Sequence, residues 1–303
     1  MKRLFILATA AIVALASCAK TEVVYTDAPE EITFKTYTDV MTKTLGESAY
    51  ANMGVIAYQG DDEYFSATEF EQGATSWTAV EGSERYWPAT GDLRFVVYAP
   101  ADGWTYTETT TPAAKTLIAT IQAGDEVPDY LYASEQPVGN KTDNAAGVDV
   151  DLKHAAAAVV LNFMGEKDVV ALKSVTLTGT IQSGTCNVDY TANPPTVVWN
   201  TTAAPSVQKE FLKDTDSPVA FSDSKTNQEY TTRVVPVTSQ ASTIVFNYTL
   251  NGSPASYTID AATLGAWDPG KKYTYTISIG ATEIMVTPEV LDYEPVENTP
   301  TIG

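Results

Sequence analysis

KKYTYTISIG, residues 271–280, decides the fold. Tyr273, Tyr275, Ile277 and Ile279 alternate without a break with Thr274, Thr276 and Ser278. Side chains of an extended chain point to opposite faces in turn, so this period of two gives a strand with one apolar face buried and one polar face wet. A helix would need its apolar residues three and four apart. Just upstream, TIVFNYTLNGSPASYTI (243–259) places Ile244, Phe246, Tyr248 and Leu250 on one face, then reverses at Asn251-Gly252, a dipeptide that accepts the left-handed conformation of a tight hairpin turn. Tyr257 and Ile259 continue on the return strand.

The pattern repeats outward along the chain. In SVTLTGTI (174–181), Val175, Leu177 and Ile181 alternate with Ser174, Thr176, Thr178 and Thr180. EITFKTY, MGVIAYQ, LRFVVYAP, DYLYAS, AAVVLNF, TVVWN and TRVVPV read as further strands, and no convincing amphipathic helix separates them. The expectation is an all-β chain of antiparallel sandwich architecture. SEQPVGNKTDNAAGVDVDL, rich in turn residues, separates two runs of strands of similar length and places a domain boundary near residue 150. The resulting division is an N-terminal sandwich over 32–150 and a C-terminal sandwich over 151–303, the latter ending in a tail, 281–303.

The N-terminus reads differently. Lys2 and Arg3 precede the apolar run LFILATAAIVALA, which has the length of a secretory h-region and is too short to span a bilayer comfortably. Leu15-Ala16-Ser17-Cys18 resembles a bacterial lipobox. Residues 1–17 are then a lipoprotein signal peptide, Cys18 the lipidated first residue of the mature chain, and 18–31 a polar tether. Two or three acyl chains on one cysteine give lasting attachment where a single chain gives only marginal binding. With Cys18 lipidated, Cys186 has no partner for a disulfide and reads as a small buried hydrophobe.

A formal net charge of −20 removes nucleic acid from the partners, because phosphate binding needs clustered Lys and Arg. It also opposes adsorption to anionic membranes, which leaves anchoring to the lipid. Groups able to do chemistry are few. His154 is the single histidine and reads as half-exposed with satisfied hydrogen bonds. HExxH, CxxC, P-loop and GxSxG motifs do not occur. Asp143, Asn144, Asp149 and Asp151 lie close together but miss calcium-loop spacing, as solvated turns do. Neither a cofactor nor a metal is expected, and the chain is read as no enzyme.

Several segments taken together resemble the fimbrillin family of Bacteroidales, the subunits of type V pili: LASC, EEITFKTY, YWPATGDLRFVVYAP, VDLKHAAAAVVLNF and WDPGKKYTYTISIG, in the family's order. The resemblance implies two tandem transthyretin-like β-sandwich domains, export as a lipoprotein, and display at the outer membrane and cell surface as part of a fimbrium. It also implies removal of the first strand by proteolysis and filling of the vacated groove by a strand from another subunit. Carried onto this chain, the donor is the tail, with Ile284, Val286, Val290, Leu291 and Tyr293 as its apolar residues. Trimming in the best-known stalk subunits follows an arginine, whereas the first arginine here beyond Arg3 is Arg85. Either cleavage occurs at Lys35 or Lys43, or the subunit stays lipidated and suits an anchor. Partners implied are other pilus subunits, the outer membrane through its lipid, and a host or bacterial surface receptor.

A second reading, a glycan-binding surface lipoprotein of a nutrient-capture system, rests on Trp77, Trp87, Trp104, Trp199 and Trp267 forming a stacking platform. A lipoprotein hydrolase rests only on abundant carboxylates.

Overall fold

The computed structural model describes residues 29–36, 52–73, 76–110, 113–121, 127–179, 181–203, 208–214, 217–221, 227–238 and 241–293. Cys18, Lys43 and the end of the tail lie outside them. Within them the chain is built from four sheets and a single helical turn, Ala261–Leu264.

The largest sheet has nine strands. Its order runs Val148–Val150, Phe34–Thr36, Trp77–Ala79, Asp62–Gln72, Asn52–Gln59, Leu93–Ala99, Leu131–Ala133 and Leu152–His154, with Val138–Gly139 beside Leu93–Ala99. Asp151 alone separates the two terminal strands of that order, so the sheet curls back on itself and encloses a core made from its own side chains. Phe34, Met53, Val55, Phe70, Trp77, Phe95 and Val97 fill it.

Asn52–Gln59 and Leu93–Ala99 are buried on both faces, and their sequences are accordingly near-continuous apolar runs. Ile56, Tyr58, Val96 and Tyr98 point outward from the curled sheet and are covered by a second, four-stranded sheet. That sheet is shared between the halves of the sequence. Thr105–Thr110 and Ala113–Ile121 pair with each other, and Ala113–Ile121 pairs with Ile181–Asp189, which pairs with Thr196–Ala203. Leu117, Ala119, Ile121, Cys186, Val188 and Tyr190 form its inward row. Strand pairing therefore crosses the division expected near residue 150 twice, through this hairpin and through Leu152–His154 on Leu131–Ala133.

The remaining strands form a sandwich. One sheet runs Asn227–Val234, Ala157–Gly165, Lys271–Ile279, Ile284–Asp292; the other runs Gln208–Leu212, Val170–Thr178, Thr243–Leu250, Ser253–Ile259. In Lys271–Ile279 the four expected residues Tyr273, Tyr275, Ile277 and Ile279 are all buried. The hairpin turns at Asn251 and Gly252 with φ of 51° and 78°, as its dipeptide demands. One expectation needs correction: Ile181 is not on the strand of Val175 and Leu177. That strand ends at Thr178, the chain turns at Gly179 (φ 77°), and Ile181 opens the strand that joins the shared sheet.

Candidate assembly site

The first strand is three residues long and is held more by side chains than by its ladder. Phe34–Thr36 lies parallel to Val148–Val150, and on its other side only Phe34 is registered, opposite Trp77. Ile32 and Phe34 are fully buried. The Phe34 ring meets Phe70 at 5.0 Å and Phe95 at 5.2 Å, both edge to face. Backbone bonds complete the seat: Ile32 N–H donates to the Arg85 carbonyl (2.7 Å), Trp87 N–H to Glu30 (3.0 Å), and Val148 N–H to Thr33 (2.8 Å). Lys35 points outward, half-buried, 3.7 Å from the Asp149 carboxylate.

Withdrawing this segment would expose an apolar slot and unpaired backbone groups of three neighbouring segments, at Trp77, Arg85–Trp87 and Val148–Val150. Burial of an Ile or Phe side chain is worth about 1.5–3 kcal/mol each, and an unpaired strand edge accepts another chain by the same hydrogen bonds.

The tail occupies the opposite situation. Ile284–Asp292 is an edge strand paired antiparallel to Lys271–Ile279 along its whole length, with Pro288 tolerated because one side of the strand faces no ladder. Ile284, Val286 and Val290 lie opposite Ile279, Ile277 and Tyr273 and so share the face turned to the sandwich, while Leu291, opposite Lys272, lies on the other. The five apolar tail residues thus do not share one face. Ile284 and Val286 pack partly on the core, Val290 and Leu291 are 54% and 48% exposed, and Tyr293 alone is buried, at 4%.

Tyr293 leads to a cluster that the sequence did not announce. Its ring stacks on His154 with centroids 3.6 Å apart and planes 7° from parallel. His154 Nδ1 is 2.5 Å from an Asp129 carboxylate oxygen, and the other Asp129 oxygen is 3.7 Å from the Arg233 guanidinium. Arg233 also donates from Nε to the Val127 carbonyl (2.9 Å), and the Trp199 indole donates to the Ala155 carbonyl (2.7 Å). His154 is 4% exposed, so the half-exposed reading is corrected. Asp129 and Arg233 are 104 residues apart in sequence, and only the folded junction brings them together. The one sequence signal available was the singular histidine itself.

The remaining candidates resolve into structural roles. Cys186 is fully buried and burial pushes its thiol well above the usual range, away from reactivity. Trp77, Trp87, Trp104 and Trp267 are buried and Trp199 is half-buried, which removes the stacking platform. Asp143 accepts from Asn140, Asp151 from Ser134, and Asp149 pairs with Lys35. Among the described residues no cluster of three or more His, Cys, Asp or Glu has the arrangement to hold a metal ion.

Comparison with known proteins follows the same lines. A family model described as fimbrillin-like matches residues 31–292. A solved structure from Bacteroides uniformis, described as a candidate cell adhesion protein, superposes with a TM-score of 0.58 at 18% identity, covering 87% of this chain and 98% of that one. A similar protein from Bacteroides ovatus gives 0.56 at 16% identity, covering 89% and 99%. A fimbrial protein from Bacteroides vulgatus gives 0.52 at 15% identity, covering 87% and 99%. At these identities the likeness is one of fold. No curated protein matches the chain.

Proposed function

Because the chain belongs to the fimbrillin-like family, we propose that it is a non-catalytic fimbrial subunit or adhesion protein of the cell surface that assembles by exchange of β-strands. The observation that carries this reading is the first strand. Ile32 and Phe34 are core residues on a segment held by few ladder bonds, so the strand can be replaced by another chain of the same pattern without rebuilding the sheet around it.

In this reading the chain is exported, acylated at Cys18 and held at the outer membrane by lipid until trimming. Cleavage after Lys35 or Lys43 releases Ile32 and Phe34 together. Cleavage at Lys35 first requires its segment to open, because Lys35 lies inside a paired strand with its ammonium beside Asp149, and a protease needs an unpaired segment. The vacated slot then takes the tail of another copy or of a different pilus subunit. Two sandwich modules meeting near residue 150, joined by the shared sheet, give the subunit the rigidity to transmit load along a fibre. The glycan-binding reading loses its support with the tryptophans buried.

The test is brief trypsin treatment of the purified mature chain followed by an unboiled denaturing gel. A ladder of oligomers after protease supports strand exchange, and a single monomer band before and after contradicts it.

A further inference from the structure

An edge strand tied at one end can unzip only from the other. Ile284–Asp292 follows Ile279 through a four-residue turn in which Gly280 N–H donates to the Glu283 carbonyl (3.0 Å), so its start is tied. Its far end is where Tyr293 sits. Met285, Val290 and Leu291 are about half exposed (55%, 54% and 48%), and the Lys271–Asp292 ion pair is on the surface, where such pairs contribute little. The ladder itself can be exchanged for water or for another chain. What remains is Tyr293, the one buried side chain among the described residues of the tail, directly after the far end of the strand.

We propose that the Tyr293–His154 stack is a latch that keeps the tail in its own sheet, and that its opening is the step that frees the tail for another subunit. The second half of that statement rests on the reading of the tail as donor. The receiving side is built to stay still. His154 ends a strand of the large sheet, its Nδ1 is fixed by Asp129, Asp129 faces Arg233 from the sandwich, and the turn at Gly270 packs over the His154 carbonyl. The Tyr293 N–H donates to the Gly270 carbonyl (2.7 Å), which sets the ring in register with the imidazole. The latch thus joins the tail to the body that carries the first-strand slot. His154 and Tyr293 are positioning residues for assembly.

The experiment is hydrogen–deuterium exchange on the full mature chain carrying Tyr293→Ser or Tyr293→Phe, with the trypsin ladder as a second readout. Tyr293→Ser is expected to speed exchange across 284–292 by about tenfold, leaving Phe34–Thr36 and Ala157–Gly165 unchanged, while Tyr293→Phe, which keeps the stack, stays within about twofold of the parent. Trypsin-induced oligomers should then appear sooner in the Ser variant. Unchanged exchange in the Ser variant overturns the latch, and so does a rise spread over the whole chain. Local exchange that rises as expected, with no oligomers from any variant or the parent, supports the latch and overturns the donor reading.

Discussion

Phe34 illustrates how much one side chain decides here. It is fully buried between Phe70 and Phe95, so Phe34→Ala removes a ring from a site that cannot collapse around the void, and should cost about 3–5 kcal/mol in denaturant unfolding. Gly54 tests the outer face of the same sheet. A Cβ there would stand 2.3 Å from ring carbons of Tyr98, itself buried, so Gly54→Ala should destabilise by about 1–3 kcal/mol although the strand pairing is untouched. At the surface, Lys271 holds the Asp292 carboxyl below its ordinary range, and Asp292 in turn raises the Lys271 ammonium. A carboxyl depressed in the folded state favours folding above its unfolded value and loses that contribution as pH falls through the folded one. Replacing Lys271 with Met should raise the Asp292 titration, followed by NMR, toward the ordinary carboxylate range. Residues of this kind were legible when their neighbours were sequential, as Tyr273 and Tyr275 were. His154 was not, because its partners Asp129, Arg233 and Tyr293 come from three distant segments.

At the scale of elements, alternation was readable wherever ladders run without a fault. The hairpin 243–259 and the strand 271–279 follow the period of two to their ends. Asp62–Gln72 hid because the register against Asn52–Gln59 shifts twice, so its buried residues Phe65, Thr68 and Phe70 are spaced three and two apart instead of two and two. The same fault puts Ser174 in the buried row of Val170–Thr178, out of phase with its neighbours. The shared sheet hid for a different reason. Leu117, Ala119 and Ile121 alternate cleanly, and so do Cys186, Val188 and Tyr190, yet period two says only that one face is covered and never which strand lies beside it. The pairing has a consequence for cutting the chain. Residues 151–303 expressed alone would bare that second row, and residues 18–150 alone would leave Ala113–Ile121 without a neighbour on one side. Both halves should bind a hydrophobic dye and aggregate, whereas co-expressed halves should associate; two separately soluble, dye-silent halves would contradict the shared sheet.

On the whole-molecule scale the chain combines a net charge of −20 with two places where extended backbone is held at a sheet: a short first strand seated between its neighbours and an edge strand formed by the tail. Charge keeps separate copies apart in solution, so association depends on a contact specific enough to overcome it, and backbone pairing with buried alternate side chains is such a contact. The family could be read from the order of short motifs, and the all-β class from alternation alone. Which residues form the slot required the fold, because Ile32 and Phe34 look like any other pair in a strand until Arg85–Trp87 and Val148–Val150 are seen on either side of their segment.

The central claim is that the slot of one copy receives the tail of another. Equal amounts of ordinary and nitrogen-15-labelled protein, mixed, trimmed with trypsin and cross-linked with carbodiimide, test it directly by mass spectrometry. The account predicts cross-linked peptides of mixed isotope content that join the acidic tail around Glu289 and Asp292 of one copy to a lysine of another. Cross-links confined to single-isotope pairs, with the tail still bound only to its own Lys271–Ile279 strand, would contradict it.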